Sequence, residues 1–362
     1  MSFYSQKQKG ELEENDPSEK RWIVGNPEKK RFQEHLLENS FLEVFEQNIS
    51  HALQGSSVLI VPDTKKTFVI AFESLGIRKN DEILVPAFCD SVVTSPILRI
   101  GAVPIFSDIS LNDYALDKDS VEEKISSRTK AIVVAHYFGQ PALGSEEILK
   151  IAKQRNIPVI EWVAQSFGAK IKIDGEERFV GTLGDVGCLR FILEKPSSHL
   201  NIGSLVFREE GSLYGEAGRI RNLKKGDVPP IRRMEDFLRT FQSIDLRNAS
   251  RKKLAEYYAE QLSHIPQIIL PENYPETQRI WSRFVMRTGE RDALAHHLSR
   301  SAHFHLPSPQ MFAAAMNSGY RSEEFPMCDK ALSEAIFLPL SGSQTEEDAP
   351  ELIRSIREFF GK

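Results

Sequence analysis

The stretch Lys130–Phe207 constrains the fold more than any other part of the chain. Three apolar, β-branched runs of strand length, Ile132–Ala135, Val159–Ala164 and Val186–Leu193, are separated by helix-length segments of mixed polarity. Such runs lack the polar residue at every second position that marks a half-exposed strand, and are those of parallel strands buried on both faces. An open sheet of this kind takes its ligands at the carboxyl ends of its strands. Here those ends carry His136, Glu161, Gln165 and Lys195.

The alternation extends toward the amino terminus. Val58–Val61, Glu82–Phe88 and Val103–Ile109 read as further strands, with helical spacing in Phe68, Val69, Ala71, Phe72 and Leu75 and again from about Ser91 to Ile100. About seven strands result, and right-handed crossovers make the expected architecture a doubly wound, mostly parallel α/β sheet. Beyond Gly211 the texture changes. Residues 211–233 are rich in Gly, Arg and Lys and contain Pro229-Pro230, which predicts a loop crossing between domains. Met234–Leu262 has a long helical pattern. Ile268–Leu270, Trp281–Arg287 and Ile336–Leu340 read as short strands, and Glu290–Ser299 and Glu346–Phe360 as helices. The expected organisation is a mobile tail over 1–20, a large α/β domain over 21–233, and a connecting helix with a smaller α+β domain over 234–362. Helices between Pro27 and Leu53 would serve as scaffold or dimer contacts.

At 362 residues the chain exceeds one ordinary core, which agrees with two domains. A net charge of −5 with interspersed signs argues against nucleic acid as a partner. Cys89, Cys188 and Cys328 are far apart and odd in number, which predicts reduced thiols; no His, Cys and Asp spacing predicts a metal site. No run approaches the ~18 apolar residues of a membrane span and the first residues are polar, so the expected compartment is the cytoplasm. Neither a Gly-x-Ser-x-Gly elbow nor a dinucleotide fingerprint is present, which leaves hydrolase and redox readings unsupported.

The turn Pro62-Asp63-Thr64-Lys65-Lys66 joins the first strand to the first helix of this alternation. Two readings of it stand. Its backbone N–H groups and the positive end of the helix dipole can hold a phosphate. Alternatively, Asp63 or Thr64 simply caps the helix.

Seven ordered phrases give the chain a family resemblance. They are LGIRKNDEILVPAF (Leu75–Phe88), GAVPIFSDIS, RTKAIVVAHYFGQPA (Arg128–Ala142), PVIEWVAQSFGA (Pro158–Ala169), GDVGCLRFILEK (Gly184–Lys195), RRMEDF (Arg232–Phe237) and LSEAIFLPLSG (Leu332–Gly342). Together they resemble the DegT/StrS-type pyridoxal-phosphate-dependent nucleotide-sugar aminotransferases. The resemblance implies a fold-type I enzyme, usually a homodimer with active sites at the subunit interface, that moves an amino group from glutamate or glutamine to a keto sugar. It also implies a lysine that links to pyridoxal 5'-phosphate, which acts as an electron sink, and Lys195 falls at that position. Gln165 matches the glutamine lying on the cofactor ring and Thr64 a threonine of the phosphate turn. Lys65 and Lys66 either help hold the phosphate or face solvent. On the substrate side, His305 matches a histidine of a histidine-aromatic-proline phrase and Arg233 an arginine that opens the long helix; both are equally compatible with surface positions.

Five departures accompany these matches. The family's aspartate that pairs with the ring nitrogen is Trp162, and the glycine before the phosphate-turn threonine is Asp63. The aromatic that stacks on the ring is Asp90, unless Phe88 takes its place, and a phosphate-contacting serine is Arg190, itself a good bidentate anion ligand. The Gly-Glu-Gly-Gly segment is Leu200-Asn201-Ile202-Gly203. Glu161 is a poor substitute for the missing acid, because adjacent strand residues point to opposite faces; Glu194 and Asp185 are other acids nearby. Two expectations therefore stand. One is an aminotransferase acting on a sugar nucleotide with an amino donor, in polysaccharide or cell-surface glycan biosynthesis. The other is a protein that keeps the dimeric fold as a binding module or scaffold without cofactor chemistry, with an anion pocket lined by Arg190 and Lys65.

Overall fold

The computed structural model describes residues 42–61, 63–195, 198–223, 241–301, 306–340 and 343–361. The main sheet is built from β1 (Ser57–Val61), β2 (Glu82–Pro86), β3 (Val103–Ser107), β4 (Thr129–Ala135), β5 (Val159–Val163), β8 (Val186–Lys195) and β9 (Ser198–Phe207). The strand order is β1-β9-β8-β5-β4-β2-β3. β3, β2, β4, β5 and β8 run parallel, while β9 pairs antiparallel with both β8 and β1. The sheet is thus the doubly wound, mostly parallel seven-stranded one that the buried runs predict. Helices α1 (Thr64–Ser74), α2 (Ser91–Arg99), α3 (Lys118–Lys124) and α4 (Ser145–Arg155) connect the strands.

Alternation along the strands sorts residues onto two layers. Ile160 and Trp162 of β5, with Cys188 of β8 and Leu205 of β9, join Phe68, Ala71 and Phe72 of α1 in one core. On the other side, Val163, Leu189 and Ile202 pack with Phe45 and Ile49 of a helical stretch over residues 42–52. Between Ile160 and Trp162, Glu161 points into that second layer and is buried. Its Oε1 accepts from the backbone N–H groups of Leu183 (2.6 Å) and Gly184 (2.8 Å), and its Oε2 from Gly181 N–H (2.7 Å). His136 Nε2 lies 3.0 Å from Oε2, and His136 Nδ1 accepts from Ala142 N–H at 3.0 Å. Because Nδ1 is an acceptor here, Nε2 carries the proton and donates to Glu161. One carboxylate thereby ties β5 to the end of β4 and to the turn that leads into β8.

Residues 211–233 are not simply a loop: Ser212–Leu223 form helix α5. Leu213, Ala217 and Ile220 recur at i, i+4 and i+7 and join the core that holds α1, so packing outweighs the two glycines within the helix. A second feature with no counterpart in the strand reading is the hairpin β6 (Lys170–Ile173) and β7 (Glu176–Phe179). Its turn is Asp174-Gly175, both at positive φ (51° and 82°), the Asp-Gly turn that favours two-residue hairpins. The short strand β10 (Thr277–Gln278) pairs with β6.

Toward the carboxyl end, α6 (Ile244–Leu262), α7 (Arg291–Ser301) and α9 (Ser343–Phe359) surround a two-stranded sheet of β11 (Phe284–Arg287) and β12 (Ala335–Leu338). They share a separate core that includes Tyr258, Trp281, Phe284, Leu298 and Ile356. Of the expected strand Ile268–Leu270, only an isolated bridge from Ile269 to Arg287 forms. Helix α8 (Pro326–Glu334) precedes β12.

Replacing Glu161 with Gln puts an amide N–H₂ where one carboxylate oxygen meets backbone donors. We expect Glu161→Gln to lower the unfolding free energy by about 2–4 kcal/mol, as a buried, multiply bonded charged acceptor warrants. Urea denaturation measures this, and a loss below about 1 kcal/mol would show the carboxylate to be dispensable to the sheet.

Candidate active site

Helix α1 begins three residues after β1 ends. Asp63 caps it, its Oδ1 accepting from Lys65 N–H at 2.7 Å, so the capping alternative for this turn is realised. The first turn of α1 also presses on β9. A Cβ at Gly203 would stand 3.2 Å from Thr64 Cα and 1.9 Å from Thr67 Oγ1, so only glycine admits the approach. Gly203 pairs with Val61 on one side and Arg190 on the other. Arg190 is two residues beyond Cys188 and so falls on the face that α1 covers. The same contact sets Thr64 and Arg190 over neighbouring strands. Thr64 is buried, and its Oγ1 has no hydrogen-bond partner.

Trp162 occupies the carboxyl end of β5 on that same face. Its ring lies 5.0 Å from that of Phe68, one helical turn on from Thr64. It has no solvent exposure, and its indole Nε1 also lacks a partner. Across the register in which Ala135 pairs with Trp162, Tyr137 follows β4 and its buried hydroxyl is likewise unpartnered. Burial pushes the Tyr137 hydroxyl well above its ordinary range, so it stays protonated and a donor.

Asp90 closes the group. It caps α2, accepting from Val92 N–H at 3.0 Å. Burial raises its carboxyl above the ordinary range, while Arg190 and Lys65 pull the other way. Both cations therefore sit within electrostatic range of one acid. The structure brings together Thr64, Lys65, Asp90, Trp162 and Arg190. Lys65 is exposed and Arg190 half-buried. Gln165, two residues past β5, is half-buried beside Ser166, whose hydroxyl donates to His136 O at 2.8 Å.

Lys195 lies in a stretch of which the backbone alone is described. It is the last residue of β8, paired with Ser198, five positions beyond Arg190. Along an extended strand that is about 17 Å, a separation that two long side chains with a small ligand between them can span. His305 and Arg233 lie outside the described residues. Phe88 does not replace the missing stacking ring, because it is fully buried and stacked on Phe312 at 4.6 Å within an aromatic core. Nor is Asp185 near the site: it accepts from Val159 N–H at 2.8 Å, at the amino edge of the sheet. Sequence reasoning missed Tyr137 and the capping role of Asp90. An acid directly before the helical run from Ser91 was the available signal for the latter.

A doubly wound sheet whose charged and donor groups gather at the carboxyl edge has the architecture of the pyridoxal-phosphate enzymes of fold-type I. The family model described as the DegT/DnrJ/EryC1/StrS aminotransferase family matches residues 31–224 and 237–357. The chain belongs to that family. It is 31% identical over 307 residues to dTDP-3-amino-3,6-dideoxy-alpha-D-galactopyranose transaminase of Aneurinibacillus thermoaerophilus, covering 81% of this chain and 82% of the relative. GDP-perosamine synthase of Escherichia coli O157:H7 is 26% identical over 343 residues, covering 89% and 90%. Among solved structures, the PLP form of the putative sugar aminotransferase Spr1654 from Streptococcus pneumoniae shares the fold with a TM-score of 0.77 at 16% identity, covering 89% of this chain and 91% of that one.

Asp90 opposes any anion bound between Lys65 and Arg190. Asp90→Asn keeps a competent helix cap and removes the opposing charge, so inorganic phosphate should bind roughly threefold to tenfold more tightly. The gain should shrink as salt rises through a Debye length of about 10 Å. Isothermal titration calorimetry at two ionic strengths measures both; unchanged affinity would mean that Asp90 does not face the anion.

Proposed function

We propose that the chain transfers an amino group to a nucleotide-linked keto sugar in the biosynthesis of a polysaccharide or cell-surface glycan, as a cytoplasmic homodimer carrying pyridoxal 5'-phosphate on Lys195. The observation that carries the reading is the set of unpartnered, buried donors at the carboxyl edge, Thr64 Oγ1 and Trp162 Nε1, beside the cations Lys65 and Arg190. These donors fit an acceptor-rich cofactor. Thr64, Lys65 and Arg190 would hold its phosphate, Gln165 would lie against its ring, and Lys195 would supply the amine that attaches it. When bound, the cofactor supplies an electron-withdrawing ring through which an amino group is exchanged. We place Arg233 and His305 on the sugar side and the amino donor as glutamate or glutamine. We also divide the chain into a large domain over 21–233 and a small one over 234–362. The relatives' names, a dTDP-sugar transaminase and GDP-perosamine synthase among them, support a sugar nucleotide as substrate.

A second reading is favoured by Asp63, whose carboxylate already occupies an N–H at the head of α1. In it the protein binds a sugar nucleotide or another anion without cofactor chemistry. Visible absorbance of the purified protein with added pyridoxal phosphate separates the two. We expect a band that borohydride bleaches and that Lys195→Ala lacks. No band at saturating cofactor would overturn the aminotransferase reading in favour of the second.

A further inference from the structure

A cavity lies where the segments leaving β3 and β4 meet β11, and none of Thr64, Lys65, Asp90, Trp162 and Arg190 lines it. We propose that it binds a small α-amino acid as the zwitterion, with the carboxylate on Arg279 and the ammonium on Gln140 and Asp113. The proposal stands without the pyridoxal-phosphate reading.

A crossing of two backbone segments builds the site. Ile280 N–H donates to Gly139 O at 2.8 Å and Ser282 N–H to Phe138 O at 3.5 Å, which sets Gln140 across from Arg279. The crossing is close: a Cβ at Gly139 would stand 1.1 Å from Ile280 O. Gln140 is buried, and its amide nitrogen donates to Pro141 O at 3.1 Å and to Thr277 Oγ1 at 3.3 Å. That orients the amide and leaves Oε1 an acceptor without a partner. Arg279 Nη1 donates to Glu272 O at 3.2 Å, and the guanidinium carbon sits 3.8 Å from the centre of the Trp281 ring. Its Nε is buried and also lacks a partner. Among the described residues, these are the two unpartnered buried side-chain atoms that belong to the lining of the cavity. Leaving either unmet is costly, so a ligand that answers both is favoured.

Charge then selects the ligand. Burial pulls the Arg279 guanidinium down to about 10, so it remains a cation at neutral pH, and the groups that act on its charge are Tyr274 and Tyr114 rather than a carboxylate. Arg287, the other cation on the lining, is already paired with Glu334 at 2.9 Å. Asp113 brings the opposite charge. Its oxygens accept from Ala115 N–H (3.0 Å) and Leu143 N–H (2.6 Å), and each keeps a lone pair for a further donor. Burial raises its carboxyl to about 6, which leaves it an anion at neutral pH. A simple carboxylate would leave Gln140 Oε1 unmet, and a simple amine would leave Arg279 without an anion. An α-amino acid carries both ends. The cavity holds about 40 Å³, and with about 10–15 Å³ needed for each water that is space for the smallest of them, glycine first.

The test is isothermal titration calorimetry of the wild-type protein with glycine, acetate and methylamine at neutral pH, each titration followed in the visible as well. Glycine should bind saturably, and acetate and methylamine at least tenfold more weakly. Arg279→Gln removes the cation and should weaken glycine roughly tenfold to a hundredfold, as the loss of a hydrogen bond to a charged group warrants. Gln140→Met removes the amide acceptor and should weaken it less. Should a variant not fold, the three ligands on the wild type still decide. No saturable heat with glycine, or either fragment bound as tightly as glycine, overturns the proposal, and so does full affinity in both variants. A glycine isotherm that tracks a change in visible absorbance would place glycine on a cofactor and overturn it too. Failure of the cofactor reading leaves it untouched.

Discussion

The carboxylate of Glu161 sets the geometry on which the carboxyl edge depends. Parallel strands carry no turn to fix their mutual register, so something must hold β4, β5 and β8 in step. Glu161 does this from one buried point, binding the turn before β8 through Gly181, Leu183 and Gly184 and the end of β4 through His136. Because the side-chain period of a strand is two, fixing Glu161 in one layer fixes Trp162 in the other. The register of Trp162 opposite Ala135 and Cys188 follows, and with it the positions of Tyr137 and Arg190 around the same edge.

The approach of α1 to Gly203 does for the helix what Glu161 does for the strands. A helix that starts against a bare backbone brings its first turn, and so Thr64, closer to β9 than any side chain would allow. Asp63 then answers one of the head-group N–H donors, and Thr64 Oγ1 remains unmet. Scaffold and site thus divide the polar groups between them. Those that hold elements together are saturated, as at Glu161. Those at the edge, Thr64 Oγ1, Tyr137 Oη and Trp162 Nε1, are donors without acceptors.

Strands were the legible part of the sequence, because a buried parallel strand is a run of β-branched residues and little else produces one. Ser212–Leu223 was hidden by its glycines and by the Pro229-Pro230 pair beyond it, although its apolar spacing was present. The β6–β7 hairpin announced itself only in Asp174-Gly175. At the site, the residue types were readable but their grouping was not. Asp90 and Arg190 are a hundred residues apart, and only the sheet order puts β2 and β8 on either side of β4 and β5 so that both ends meet the head of α1. Phe88 shows the converse: next-but-one to Asp90 in sequence, it is turned wholly into the aromatic core.

The departures from the resembling family are not independent of one another. On the residue matches that the resemblance implies, Asp90 adds an anion and Arg190 a cation within electrostatic range of each other, while Asp63 adds a further anion at the head of α1. At Trp162 the exchange has a packing counterpart: the indole packs near Phe68 with no exposure, so the end of β5 on this face is filled by an apolar ring, and an ionised carboxylate set among the same apolar neighbours would carry a desolvation cost.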